Sequence, residues 1–243
     1  AVTEEMQQRM QWWLDARFGM FVHWGMYSVL GLGEQIMSRD MMPVAEYEPY
    51  AKQFQPPEGW ATRLAQRARR AGAKYVVLTS RHHDGYCLFD TATHDFNAAR
   101  TGPGRDLIAE YVDAVREAGL GVGLYYSVMN WRWPGFWDAE AHPKDLPRMV
   151  DELHAQVREL MTGYGKIDIL WYDVCAVPGK RSPGAWGGTS IDQTPAEFWR
   201  SEQLNAMVRE LQPHILINNR AGIPEDFGTP EQRIGGEGEG RAW

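Results

Sequence analysis

Five apolar stretches of this 243-residue chain each run into side chains that can do chemistry. The first ends in His23 and Trp24, the second in His82, His83 and Asp84, and the third in Tyr125 and Tyr126. The fourth ends in Trp171 and Asp173, the fifth in Asn218 and Arg220, and Glu231 follows shortly after. Asp173 is the most informative: a carboxylate closing a buried strand is costly unless it is paired or solvated at a site. A loop cap, or a pair with an arginine, is the bland alternative, and that stretch alone does not separate the two. Metal hydrolysis wants histidines spaced on one face. His82 and His83 are adjacent and neither HxH nor HExxH occurs, so no metal is expected. Ser80 and Ser127 lie outside any GxSxG elbow, which lowers the case for a serine nucleophile. Two carboxylates, Asp173 and Glu231, among His, Trp, Tyr and Arg suit glycosidic cleavage: one attacks or stabilises, the other gives and takes a proton.

The elements that must aim these groups follow from the pattern. Strands are predicted over 18–25, 74–80, 120–127, 166–173 and 214–220, and helices over 3–16, 60–71, 104–118, 146–164 and 195–211. Segments 26–59, 130–143 and 221–243 read as loops, and an insertion as long as the first usually has a task. Strand–loop–helix repeated in this way implies parallel strands with crossover helices. An open doubly wound sheet competes with a (β/α)8 TIM-like barrel. No GxGxxG or Walker-type loop follows the first strand. A barrel also gathers every strand end at one mouth. The expectation is therefore an α/β barrel, with about five of its eight strands in this chain.

Composition narrows the partners. Apolar residues make up 44%, enough for a sizeable core, and the net charge of −7 comes without any Lys/Arg block, which argues against nucleic acid or an anionic membrane. Cys87 and Cys175 form no disulfide framework. No cofactor is expected. Trp24, Trp131, Trp133, Trp137 and Trp186 sit in polar, Gly-rich contexts that would suit stacking on a sugar, a weak signal against the usual core role. A start at Ala1 rather than Met is compatible with a removed signal peptide.

Several motifs together carry a resemblance. The stretches at 17–25 (RFGMFVHWG), 74–85 (KYVVLTSRHHDG), 123–127 (GLYYS), 169–173 (ILWYD), 218–220 (NNR) and 226–231 (DFGTPE) are similar, in order, to glycoside hydrolase family 29, the retaining α-L-fucosidases. The resemblance implies a catalytic barrel domain over 1–243, lacking its last strands and the β-sandwich that usually follows. Asp173 matches the family's nucleophile. Glu231 matches the acid/base of some members, with Glu237 and Glu239 as fallbacks. His23, His82 and His83 match residues that hold fucose hydroxyls; Tyr126, Trp171 and Arg220 match pocket walls. Glu34 matches a sugar-binding Glu usually followed by Trp, where this chain has Gln35. Of Tyr125 and Tyr126, one must face away from the pocket, and the match favours Tyr126 as the inner one. Two readings follow: an exo-acting fucosidase on fucosylated glycans, and a non-catalytic fucose-binding or degenerate barrel fragment. On residues alone, His23 reads as a core histidine, and Arg220 could simply pair with Asp226.

Overall fold

The computed structural model describes residues 3–173, 176–179 and 191–230. Its centre is one sheet of five parallel strands in the order β1-β2-β3-β4-β5: Met20–Val22, Tyr75–Arg81, Gly121–Ser127, Ile169–Asp173 and Leu216–Ile217. Sheet neighbours are also chain neighbours, so the sheet has no switch point. Right-handed crossovers then place every connecting helix on the same face, which is barrel winding rather than double winding.

The helices are α1 (Glu4–Ala16), the single turns α2 (Ile36–Arg39) and α3 (Val44–Tyr47), α4 (Trp60–Arg70), α5 (Leu107–Glu117), the short α6 (Pro134–Trp137), α7 (Asp145–Gly163), the turn α8 (Pro195–Phe198) and α9 (Ser201–Leu211). Ala65 of α4, Val112 of α5, Leu153 of α7 and Leu204 of α9 pack with Leu78, Leu124 and Tyr126 on the outer face of the sheet. Side chains alternate along a strand, so Val77, Tyr125, Ile169 and Trp171 take the inner face. There α1 covers the lower part with Met10 and Trp13, together with Phe227. Thr3 caps α1 by accepting from Met6 N at 3.2 Å. Burying Met10 and Trp13 contributes about 2–3 kcal/mol each. Asp226 ties these pieces together: its buried carboxylate accepts from Arg9 of α1 at 2.6 Å, Arg209 of α9 at 2.5 Å and the Ile217 N–H of β5 at 2.9 Å.

Four expectations change. Segment 26–59 is built of short helical turns, not open loop, because Met26, Tyr27, Ile36 and Tyr47 bury apolar surface against the outer core. Segment 130–143 likewise contains α6. The single helix expected over 195–211 breaks at Arg200, which is left-handed (φ 53°). Its neighbour Trp199 is buried and donates from Nε1 to the Ala176 carbonyl, an anchor that a straight helix would have to release. The fifth strand holds only two residues before Asn218 turns its side-chain amide onto the Tyr172 backbone of β4, accepting at 2.9 Å and donating at 2.8 Å.

Candidate active site

At the C-terminal ends of the strands lies a cavity of about 370 Å3, inside the roughly 300–1,000 Å3 range of small-ligand sites. Its walls include Phe21, His23, Glu34, Gln35, His82 and His83 on one side. Tyr125, Trp171, Asp173, Arg220, Thr229 and Pro230 complete it. Strand parity explains the inner set: Ile169, Trp171 and Asp173 alternate inward along β4, and Asp173 pairs in register with Ser127 of β3. A register shift between Thr79 and Arg81 interrupts β2 just before the histidines. Such a bulge re-aims the chain. Arg81 turns outward to Glu152 and Gln156, while His82 and His83 both reach the cavity.

Asp173 sits among donors. Tyr125 donates its phenol to Oδ2 at 2.6 Å, Arg220 Nη1 lies 3.5 Å from Oδ1, and His83 Nε2 lies 3.7 Å from Oδ2. Burial, and then the carboxylate itself, push the Tyr125 phenol well above its usual range, so it remains a neutral donor. The three histidines form a cluster: the His23 and His82 rings are 5.0 Å apart, and those of His82 and His83 are 4.1 Å apart. Loss of solvation holds all three below the ordinary imidazole value, His83 to about 4. Nearby charges act after burial: the Glu34 carboxylate raises His23, the Asp173 carboxylate raises His83, and a proton on His83 would lower His82. At neutral pH they are therefore uncharged hydrogen-bonding groups beside a carboxylate.

Of the described residues, His23, His82 and Asp173 are the ones whose ligand atoms cluster, within 4.8 Å of one another. Arg220 and Tyr125 already engage the same carboxylate, and a guanidinium beside it competes with a cation. The chemistry offered is recognition of a polyhydroxylated ring by neutral imidazoles and Arg220. Phe21 and Trp171, with rings 5.0 Å apart, add an apolar wall, and the carboxylates of Asp173 and Glu34 line the same cavity.

The structure thus brings together His23, Glu34, His82, His83, Trp171, Asp173 and Arg220. Tyr126 is corrected: it is buried on the outer face, donates to Gln156 Oε1 at 2.8 Å and lies under the Arg81 guanidinium. Tyr125 is the inner tyrosine. The signal was in the strand itself, since Tyr126 shares parity with Val122 and Leu124, the helix-facing pair. His23 is exposed in the cavity rather than under a loop. Asp226 is engaged by Arg9 and Arg209, and Arg220 faces Asp173. Trp131 is buried, Trp24 packs on Trp60 with rings 4.5 Å apart, and neither is among the walls of the cavity around Asp173. Trp133 lies under Arg148, and Trp137 donates to the Trp131 carbonyl. Glu231, Glu237, Glu239, Cys175 and Trp186 lie outside the described residues. Sequence reasoning missed Phe21 and Thr229 as cavity walls, and parity from His23 gives the first.

A family model described as Alpha-L-fucosidase matches residues 1–243. The tissue alpha-L-fucosidase of Rattus norvegicus is 30% identical over 237 residues, covering 87% of this chain and 47% of that protein. Among solved structures, alpha-L-fucosidase isoenzyme 1 from Paenibacillus thiaminolyticus superposes with a TM-score of 0.82 at 40% identity, over 95% of this chain and 57% of the other. The alpha-L-fucosidase AlfC from Lactobacillus casei, in complex with its alpha-L-fucose product, gives 0.74 at 28% identity, over 93% and 75%. The five parallel strands and outer helices match the TIM-like fold of these catalytic domains. The chain spans about half the length of the curated relatives it matches.

Proposed function

The chain belongs to the alpha-L-fucosidase family, and from that premise we propose that it carries the site of a retaining exo-fucosidase acting on terminal α-L-fucosides of glycans. One observation supports this above the rest: Asp173 ends an inner strand inside the cavity, oriented by Tyr125 and Arg220 and surrounded by three neutral histidines. His23, His82, His83 and Arg220 offer partners for three sugar hydroxyls. Phe21 and Trp171 offer an apolar surface for a 6-methyl group. Galactose would bury its extra hydroxyl there without a partner, which costs about 1–3 kcal/mol.

In this mechanism Asp173 attacks the anomeric carbon and forms a β-linked fucosyl-enzyme as the glycosidic oxygen leaves with a proton. Tyr125 holds one carboxylate oxygen, which limits rotation of the nucleophile. Glu231 is the proposed proton donor and then the base for the incoming water. Pro230, its sequence neighbour, lines the cavity. Retention requires about 5–5.5 Å between the two carboxyl groups.

An aryl α-L-fucoside tests the reading. Turnover should release α-L-fucose as the first-formed anomer. Asp173→Gly should lose nearly all turnover, and azide should restore part of it as the β-fucosyl azide. Unchanged turnover by Asp173→Gly would refute the assignment. Saturable binding of fucose without turnover would favour the binding-fragment reading instead.

A further inference from the structure

His83 presents two ring nitrogens to two surroundings, and Ser127 decides between them. Ser127 Oγ lies 2.9 Å from the Met129 carbonyl oxygen and 2.6 Å from His83 Nδ1. A hydroxyl has one proton. Placed toward Met129, it satisfies that short oxygen–oxygen contact, and Nδ1 must then carry a hydrogen and donate to Oγ. Placed toward Nδ1, it leaves two buried acceptor oxygens facing each other at 2.9 Å. The frame around Oγ is fixed: the buried Arg81 guanidinium donates from Nη2 to the Ser127 carbonyl at 2.7 Å and to the Met129 carbonyl at 3.0 Å.

We propose that Ser127 is a positioning residue: it holds His83 with the proton on Nδ1, so that Nε2 enters the cavity as an acceptor for a donating sugar hydroxyl. Nε2 stands 3.7 Å from Asp173 Oδ2, beyond hydrogen-bond length, and both residues line the cavity. His83 is also kept neutral, since burial lowers its pKa to about 4. A bare imidazole nitrogen beside the nucleophile selects a hydroxyl that donates, and it rejects groups that only accept. The identity of the ligand rests on the fucosidase reading; the tautomer does not.

Two measurements test this. Long-range 1H–15N NMR of the histidine-labelled chain should show His83 with a protonated Nδ1 and a pyridine-like Nε2. The reverse pattern overturns the proposal, whether or not fucose binds. The second measurement is the affinity for L-fucose and its monodeoxyfluoro analogues, in which fluorine cannot donate. At the position facing His83, fluorine should weaken binding as much as hydrogen does. Ser127→Ala should bind fucose about tenfold more weakly, one hydrogen bond's worth, and Ser127→Thr should restore it to within about threefold. Wild-type affinity in a folded Ser127→Ala also overturns the proposal. Absence of fucose binding by the wild-type chain counts against the fucosidase reading, and the NMR pattern then decides the role of Ser127 by itself.

Discussion

Replacing Tyr125 with Phe removes one phenol and leaves the Asp173 carboxylate without its 2.6 Å donor. A hydrogen bond to a charged group contributes about 1.5–3 kcal/mol. If Asp173 is the nucleophile as proposed, the expected loss in kcat is about 10- to 100-fold, with KM changed much less because the donor orients that carboxylate rather than the sugar. Tyr126→Phe, one residue along, should keep kcat within about twofold and cost about 1 kcal/mol of stability, since it removes only a buried bond to Gln156. Steady-state kinetics on both variants check this, and equal kinetic losses would contradict the assigned parity. The identities of Asp173, His82, His83 and Trp171 as strand-end groups were legible from apolar runs that stop on polar side chains. The direction of Tyr125 was legible too, from the alternation of Val122 and Leu124 in the same strand. What Arg220 faces was not legible. Asp226 and Asp173 are both plausible partners by charge, and only the long-range approach of Arg9 and Arg209 claims the first.

Between elements, Asp226 has the widest reach, joining α1, α9 and β5 through one fully buried carboxylate. Asp226→Asn removes the charge but leaves Arg9 and Arg209 in place, and breaking such a pair costs about 3–5 kcal/mol when both partners are buried. The arginine side chains keep 18% and 23% of their exposure, so the lower end, about 3 kcal/mol, is expected. Urea denaturation of the variant should show a lower midpoint with an unchanged slope. A shift below about 1 kcal/mol would mean that the arginines find other partners. Most helices were visible in the sequence because their apolar stripes and caps are local. Thr194, for instance, forms a capping box with Glu197 at the start of α8. The break at Arg200 was not visible, because its cause is the docking of Trp199 on Ala176, far away in sequence. The turns within 26–59 escaped for the same reason. Their burial depends on a core assembled by other segments.

For the molecule as a whole, the parallel class was readable from the repeated strand–helix order, and the polar strand ends with no GxGxxG after the first strand pointed to the barrel, but the strand pairings themselves were not legible. Whether the strands run in sequence or reverse at a switch point depends on pairings such as Met20 with Val76 and Ile169 with Leu216, which no local pattern encodes. Packing around the sheet has a consequence for pH. His23, His82, His83, His94, His154 and His214 all have lowered pKa values, in each case mainly through loss of solvation. A histidine whose folded pKa lies below its unfolded value of about 6.5 gives full stability above that pH. Below it the unfolded chain takes up protons that the folded chain refuses, so stability falls until the folded pKa is reached, about 4 for His83 and His94. His83 alone then accounts for about 2 kcal/mol lost at pH 5. Asp84 acts the other way. Burial raises its carboxyl to about 6, so the folded chain binds that proton first and gains stability as pH falls through 6. One carboxyl against several histidines leaves the loss dominant. The urea midpoint should therefore drop between pH 7 and pH 5, and it should drop further in Asp84→Asn, where the opposing group is gone. A midpoint that holds or rises on acidification would show that the imidazoles are charged in the folded chain. Neutral His83 keeps its hydrogen-bonding pattern in the candidate pocket across this range, at the expense of acid stability.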